Sequence, residues 1–128
     1  MRIGFLLVAA TVLAAHGPVR AQDIAAGEKS FNKCRACHQV GETAKSVAGP
    51  KLNGLFGRKA GSIAEFKYSE ANKNSGVTWD EAYFAKYIKD PKAAIPGTKM
   101  VFPGIKDDAE IANLTAFLKQ FDADGKRK

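Results

Sequence analysis

Cys34-Arg35-Ala36-Cys37-His38 gathers both cysteines and one of the two histidines of this chain into five positions. Two thiols three positions apart can each add to one vinyl group of a porphyrin, leaving the adjacent imidazole under the iron. C-x-x-C-H is therefore the spacing of covalent haem c attachment. A bare C-x-x-C would equally suit a redox disulfide or half a zinc site. Zinc lacks its further ligands, because there is no second Cys pair and the other histidine, His16, falls in a leader segment. A redox disulfide lacks the alternating strand pattern of a thioredoxin-like sheet. The iron has a second axial face, and outside the leader Met100 is the remaining soft donor. It sits in Ile95-Pro96-Gly97-Thr98-Lys99-Met100, a turn-rich loop with no helical period that would seat it in an ordinary core. A thioether favours ferrous iron and raises the reduction potential relative to a second imidazole.

The leader is read from Arg2, the apolar run Ile3 to Ala15, the breaker Gly17-Pro18, and Val19-Arg20-Ala21. A run of roughly 13 residues suits a secretory h-region and is short of the roughly 20 that span a bilayer. Residues 1–21 are expected to be a signal peptide cleaved after Ala21, leaving residues 22–128 as one domain. Cleavage removes Arg2 and Arg20 and no acid, so 20 basic residues become 18 against 13 acidic ones and the formal charge falls from +7 to +5.

The elements that must position the donors are helical. Asp23 can cap a helix running to about Ala36, with Ile24, Gly27, Phe31 and Cys34 on one face. The Gly, Pro and Asn content from Gly41 to Gly61 indicates loops and turns. Thr78 and Glu81 read as a capping box whose helix stops near Lys89, before Asp90-Pro91. Asp107 and Glu110 read as a second box, followed by the apolar stripe Ile111, Leu114, Phe117, Leu118 and Phe121, with Asp122 to Gly125 ending it. No segment alternates long enough for a confident strand, so the class is all-α with long irregular connections. Some three helices with about forty loop residues bury little apolar surface, and such domains usually need a staple or a cofactor.

Several ordered blocks now add to C-x-x-C-H: Gly49-Pro50-Lys51-Leu52-Asn53-Gly54-Leu55-Phe56-Gly57-Arg58, Tyr68 to Asn72, Gly76-Val77-Thr78-Trp79, Tyr87, and Pro91-Lys92 leading to Pro96-Gly97-Thr98-Lys99-Met100. With them the chain resembles the class I c-type cytochromes, mitochondrial cytochrome c and its soluble bacterial relatives, over residues 23 to 121. The resemblance implies a cytochrome c fold of three to five helices with long loops wrapped around one covalent haem, held by Cys34 and Cys37 and ligated by His38 and Met100. It implies that the Pro50 carbonyl accepts a hydrogen bond from the ligating imidazole and that Arg58, Tyr68 and Trp79, helped by Thr98, hold a buried haem propionate. Asn72, Tyr87 and Thr98 match the polar group near the Met ligand. Gly27, Phe31, Leu114 and Phe117 match the crossing of the first and last helices. The chain departs from the mitochondrial form by one residue fewer between Phe31 and Cys34, and by Asp107 and Asp108 where that form carries lysines.

The implied function is a monomeric periplasmic one-electron carrier, not an enzyme, working between membrane-bound or periplasmic redox complexes. Lys33, Lys45, Lys92, Lys99 and Lys106 would ring its docking face and steer it onto acidic partners. The reading from another class is a haem enzyme or gas-binding protein with an open iron, for which no distal histidine is at hand. No aromatic-basic motif points to nucleic acid, and no stable membrane insertion is expected.

Overall fold

Every helix among the described residues begins where a short polar side chain accepts a backbone N–H that has no partner inside the helix. The protein, in a computed structural model, is described here over residues 23–128, so the leader and its cleavage site lie outside the described residues. Asp23 accepts from Ala26 N ahead of α1 (Ile24–Phe31), and Ser69 accepts from Asn72 N ahead of α2 (Glu70–Lys73). Asp80 opens α3 (Glu81–Lys89), Asp90 opens α4 (Pro91–Ala94) with Pro91 in the first turn, and Asp107 opens α5 (Asp108–Lys119). An oxygen at this position satisfies one of the free N–H groups and supplies negative charge at the positive end of the helix dipole.

One stop, one start and one capping box differ from what the spacing predicts. The first helix ends at Phe31 and not at Ala36; Asn32 to Cys37 continue as turns in which Cys34 N bonds Phe31 O at 2.8 Å and His38 N bonds Cys34 O at 2.9 Å. Thr78 is no cap, because it is held extended in an antiparallel bridge with Lys59, and Trp79 N reaches Arg58 O at 2.9 Å. The helix therefore starts two residues later on Asp80. Asp107 does cap α5, but Glu110 does not return to it: its carboxylate accepts from Ser30 Oγ at 2.8 Å and binds Lys33 Nζ. The two four-residue helices, α2 and α4, are too short to show a hydrophobic period. Isolated bridges are the sole β-structure among the described residues, and the fold is all-α.

α1 packs across α5. Gly27 makes this possible, since a Cβ there would lie 2.0 Å from the Asn113 carbonyl oxygen in α5. Phe31 stacks at a tilt on Phe117 with ring centroids 5.4 Å apart, and Leu114, Phe117 and Leu118 are almost wholly buried beside it. Each such side chain contributes about 1.5–3 kcal/mol by leaving water. Ile24, placed on the same face by spacing, is instead exposed at the helix start. The crossing joins the first and last helices of the described residues, and the turns after Phe31 carry the C-x-x-C-H motif away from it. No helix among the described residues is long and apolar enough to cross a membrane.

Candidate haem and metal centre

The turns after α1, the loop that follows them, α2, α3 and the loop after α4 surround a predominantly apolar cavity of about 430 Å³. Cys34, Cys37, His38, Pro50, Arg58, Tyr68, Asn72, Trp79, Tyr87, Thr98 and Met100, every residue to which the sequence assigns the site, line it. A well packed interior of this size rarely leaves such a void.

His38 forms one wall. Its Nδ1 lies 2.7 Å from the Pro50 carbonyl oxygen, and because a carbonyl can only accept, the contact places the ring proton on Nδ1 and leaves a lone pair on Nε2. Burial lowers the pKa of His38 from its ordinary value, opposed by that hydrogen bond and reinforced by Arg58, so the ring is held neutral as a metal ligand must be. Gly49 matters here through what it lacks: a Cβ would stand 2.4 Å from Cε1 of the imidazole. Around this wall the backbone is stitched closely, with Gly49 N to Cys37 O at 2.7 Å and Leu52 N to Gln39 O at 3.0 Å. Asn53, 5% exposed, bonds both the N–H and the carbonyl of Gly41 at 2.9 Å.

Met100 lies on the other wall. Tyr87 Oη is 3.4 Å from its sulfur and 3.2 Å from Thr98 Oγ1, and Thr98 Oγ1 accepts from Met100 N at 3.4 Å, so one hydroxyl holds the thioether and the other its backbone. Burial raises the pKa of Tyr87, keeping the phenol a donor. Trp79, 8% exposed, meets the Tyr87 ring edge-on at 4.9 Å and the Tyr83 ring at 5.6 Å.

Whether a haem suits this cavity is tested by its unsatisfied polar atoms. Arg58 Nη1 donates to the carbonyls of Lys51 at 3.1 Å and Asn53 at 2.9 Å, while its buried Nε has no partner. Burial lowers the pKa of the guanidinium, partly offset by Tyr68 and Glu65. Asn72 Oδ1 is likewise buried and unpartnered. Buried polar groups without partners are rare. An apolar void with an idle guanidinium N–H on its wall is matched by a flat apolar ring that carries carboxylates. Cys34 and Cys37 are free thiols, and burial pushes the Cys34 thiol up to about 11, so it is kept protonated. Tyr68 Oη accepts from Ile63 N at 3.2 Å, which leaves its own O–H free to donate.

Sequence spacing passed over some of the lining. Phe66 and Leu52 line the cavity from loops without a period. Tyr83 donates to the Ala94 carbonyl at 3.2 Å, tying α3 to the base of the Met100 loop. The Trp79, Tyr83, Tyr87 repeat at intervals of four was the available signal. Of the five lysines assigned to docking, Lys33 and Lys99 line the cavity. Lys33 is paired with Glu110, and Lys106 Nζ donates to the Lys89 carbonyl. All five are exposed.

The family model for cytochrome c matches residues 24–122. The chain belongs to the cytochrome c family. A cytochrome c-550 of Bradyrhizobium diazoefficiens is 65% identical over 104 residues, covering 81% of this chain and 76% of that protein. A cytochrome c2 of Blastochloris viridis is 54% identical over 125 residues, covering 98% of this chain and 95% of the other. The solved structure of cytochrome cH from Methylobacterium extorquens superposes with a TM-score of 0.72 at 46% identity, over 77% of this chain and 98% of that one. The cytochrome carries one covalently bound haem c and transfers electrons; it is not an enzyme.

Proposed function

We propose that the cytochrome is a soluble periplasmic one-electron carrier in which His38 and Met100 are the two axial ligands and Cys34 and Cys37 form the thioethers. Haem c so held supplies a ferric/ferrous couple. The observation that carries the assignment is the Tyr87 hydroxyl, 3.4 Å from Met100 Sδ and 3.2 Å from Thr98 Oγ1, in the same cavity as His38. A hydroxyl donating to the thioether orients the sulfur and draws density from it. The Pro50 carbonyl does the reverse for His38, making the imidazole the stronger donor and fixing its tautomer. Arg58, Trp79 and Tyr68 serve a buried propionate, with the Arg58 N–H as its charged partner; Asn72 offers an amide near the Met100 side.

Export to the periplasm is supported by the leader pattern in residues 1–21, with residues 22–128 as the single functional domain. Docking through Lys33, Lys45, Lys92, Lys99 and Lys106 onto acidic faces of redox partners, with the carrier itself a monomer, is supported by the exposure of these lysines and by the placement of Lys33 and Lys99 on the cavity.

The test is the absorption spectrum of the ferric holoprotein. A sulfur-to-iron charge-transfer band that Met100→Ala abolishes is the expected result. High-spin iron in the wild type, or carbon monoxide binding by the untreated ferrous protein, overturns it in favour of an open site. N-terminal sequencing of the exported protein should begin at Gln22.

A further inference from the structure

The lysines around the cavity are not equivalent. Lys33, on the lining, gives its ammonium to Glu110, and Asp108 holds Lys89 at 2.6 Å. Lys106 Nζ rests on the Lys89 carbonyl. Glu110 and Asp108, in the first turn of α5, thus neutralise Lys33 and Lys89, and Asp107 adds a third negative charge at the same helix start. Among the described residues no carboxylate lies within ion-pair distance of Lys45, Lys92 or Lys99. Lys99 is on the lining, and Val101, two residues further on, is 87% exposed.

A docked protein covers about 800 Å² per partner, equivalent to a disc of about 16 Å radius. A footprint centred on the cavity mouth and including Lys33 must include Glu110, which touches Lys33, and one that extends to Lys106 must include Asp108, because Lys106 rests on the carbonyl of Lys89 and Asp108 is paired with Lys89. Hydrogen bonds from Lys33 and Ser30 hold the Glu110 carboxyl below its ordinary pKa, so it stays ionised at neutral pH. The Asp108 side chain is 84% exposed. Docking that buries these carboxylates against a second set of carboxylates juxtaposes like charges and is disfavoured. The surface therefore rejects a partner that is acidic throughout.

We infer that the docking face is electrically divided: a protein partner presents acidic residues to Lys99, and to Lys92 and Lys45 where it reaches them, and at least one Lys or Arg to the Asp107, Asp108 and Glu110 sector at the start of α5. The division sets the rotational register of the complex about the cavity mouth, and it separates fitting partners from uniformly acidic ones. This inference rests on the lysine-docking reading above.

Two charge reversals separate the two readings. Ferrous holoprotein is mixed at low and at high salt with membranes of its own organism, and its oxidation is followed. Lys99→Glu is expected to slow the low-salt rate by about threefold or more, and Asp108→Lys to slow it as well, by about twofold or more, both effects disappearing at high salt. Asp108→Asn should fall between wild type and Asp108→Lys. If Lys99→Glu slows the reaction while Asp108→Lys leaves it unchanged or speeds it, the partner is not divided: the inference falls and lysine docking stands. If Lys99→Glu has no effect, both fall together. Unchanged visible spectra and thermal midpoints of the variants exclude a folding defect as the source of a slowed rate.

Discussion

The two walls of the haem cavity are built differently. The His38 wall is held by backbone: Cys37 O receives Gly49 N, Gln39 O receives Leu52 N, Asn53 bridges Gly41 on both sides, and Gly54 N reaches Phe121 O at 3.2 Å. Through Phe121 this wall is joined to the end of α5, and so to the crossing with α1. The Met100 wall depends on side-chain hydroxyls. Thr98 N to Ile95 O at 3.0 Å is its one close turn; beyond that, Tyr87 grips Thr98 and Met100, Tyr83 grips Ala94, and Ile105 N rejoins Ile88 O at 2.8 Å. A wall in the cooperative backbone network opens only when the protein unfolds. A wall held by two phenols can open alone.

Substituting Asn53 is the strongest way to probe the first wall. Asn53→Ala leaves the partly buried Gly41 N–H without a partner and its carbonyl with the Ala44 N–H alone, and global stability should fall by about 1–2 kcal/mol. In a denaturant titration of the holoprotein, the loss of the sulfur-to-iron band and the loss of helical circular dichroism should move together. Separation of the two curves in this variant alone would show that the first wall is not part of the global unit.

Tyr87→Phe addresses the second wall and should reverse that pattern. Loss of one hydroxyl serving Thr98 and Met100 costs about 1 kcal/mol locally. The charge-transfer band should disappear at lower denaturant than in the wild type, while the circular dichroism midpoint moves little. Tyr83→Phe, which releases only the Ala94 carbonyl at the base of the same loop, should shift the band midpoint in the same direction by about half as much. A band midpoint unmoved in both variants would mean that Met100 is held by packing and not by the phenols.

The same contrast explains what could be read without coordinates. C-x-x-C-H, Met100 in its turn-rich loop, and the α5 stripe are local patterns, and the structure brings Cys34, Cys37, His38, Met100, Leu114 and Leu118 to one cavity while Ile111, Phe117 and Phe121 pack in the core beside it. The helix ends were harder. Thr78 has the chemistry of a cap, yet a cross-chain bridge to Lys59 claims its backbone, and nothing near Thr78 in sequence announces Lys59. Glu110 sits three residues after Asp107 as a capping box requires, but Ser30 and Lys33, some eighty positions away, outbid the local bond. Asn53 was legible as a turn residue and not as a buried bridge, because its partner Gly41 is reached only when the His38 loop closes.

Glu110 gives the smallest effect and belongs to the first wall, since Ser30 and Lys33 lie at the junction of α1 with the C-x-x-C-H turns. Hydrogen bonds from Lys33 and then Ser30 lower its pKa below the ordinary 4.5, against a smaller opposing contribution from burial. A carboxyl whose folded pKa is depressed binds fewer protons folded than unfolded near that pKa, so its stabilisation is complete above about pH 5 and fades as pH falls through the depressed folded value. The carboxylate is partly exposed and the pair is screened, so the contribution is under about 1 kcal/mol. Wild type and Glu110→Gln, compared by thermal unfolding across pH 3 to 7, should differ by a constant small amount above about pH 5 and converge at the acid end. Because the contact is with the backbone-held wall, the charge-transfer band and the circular dichroism should lose this increment together; a loss confined to the band would place Glu110 with the Met100 wall instead.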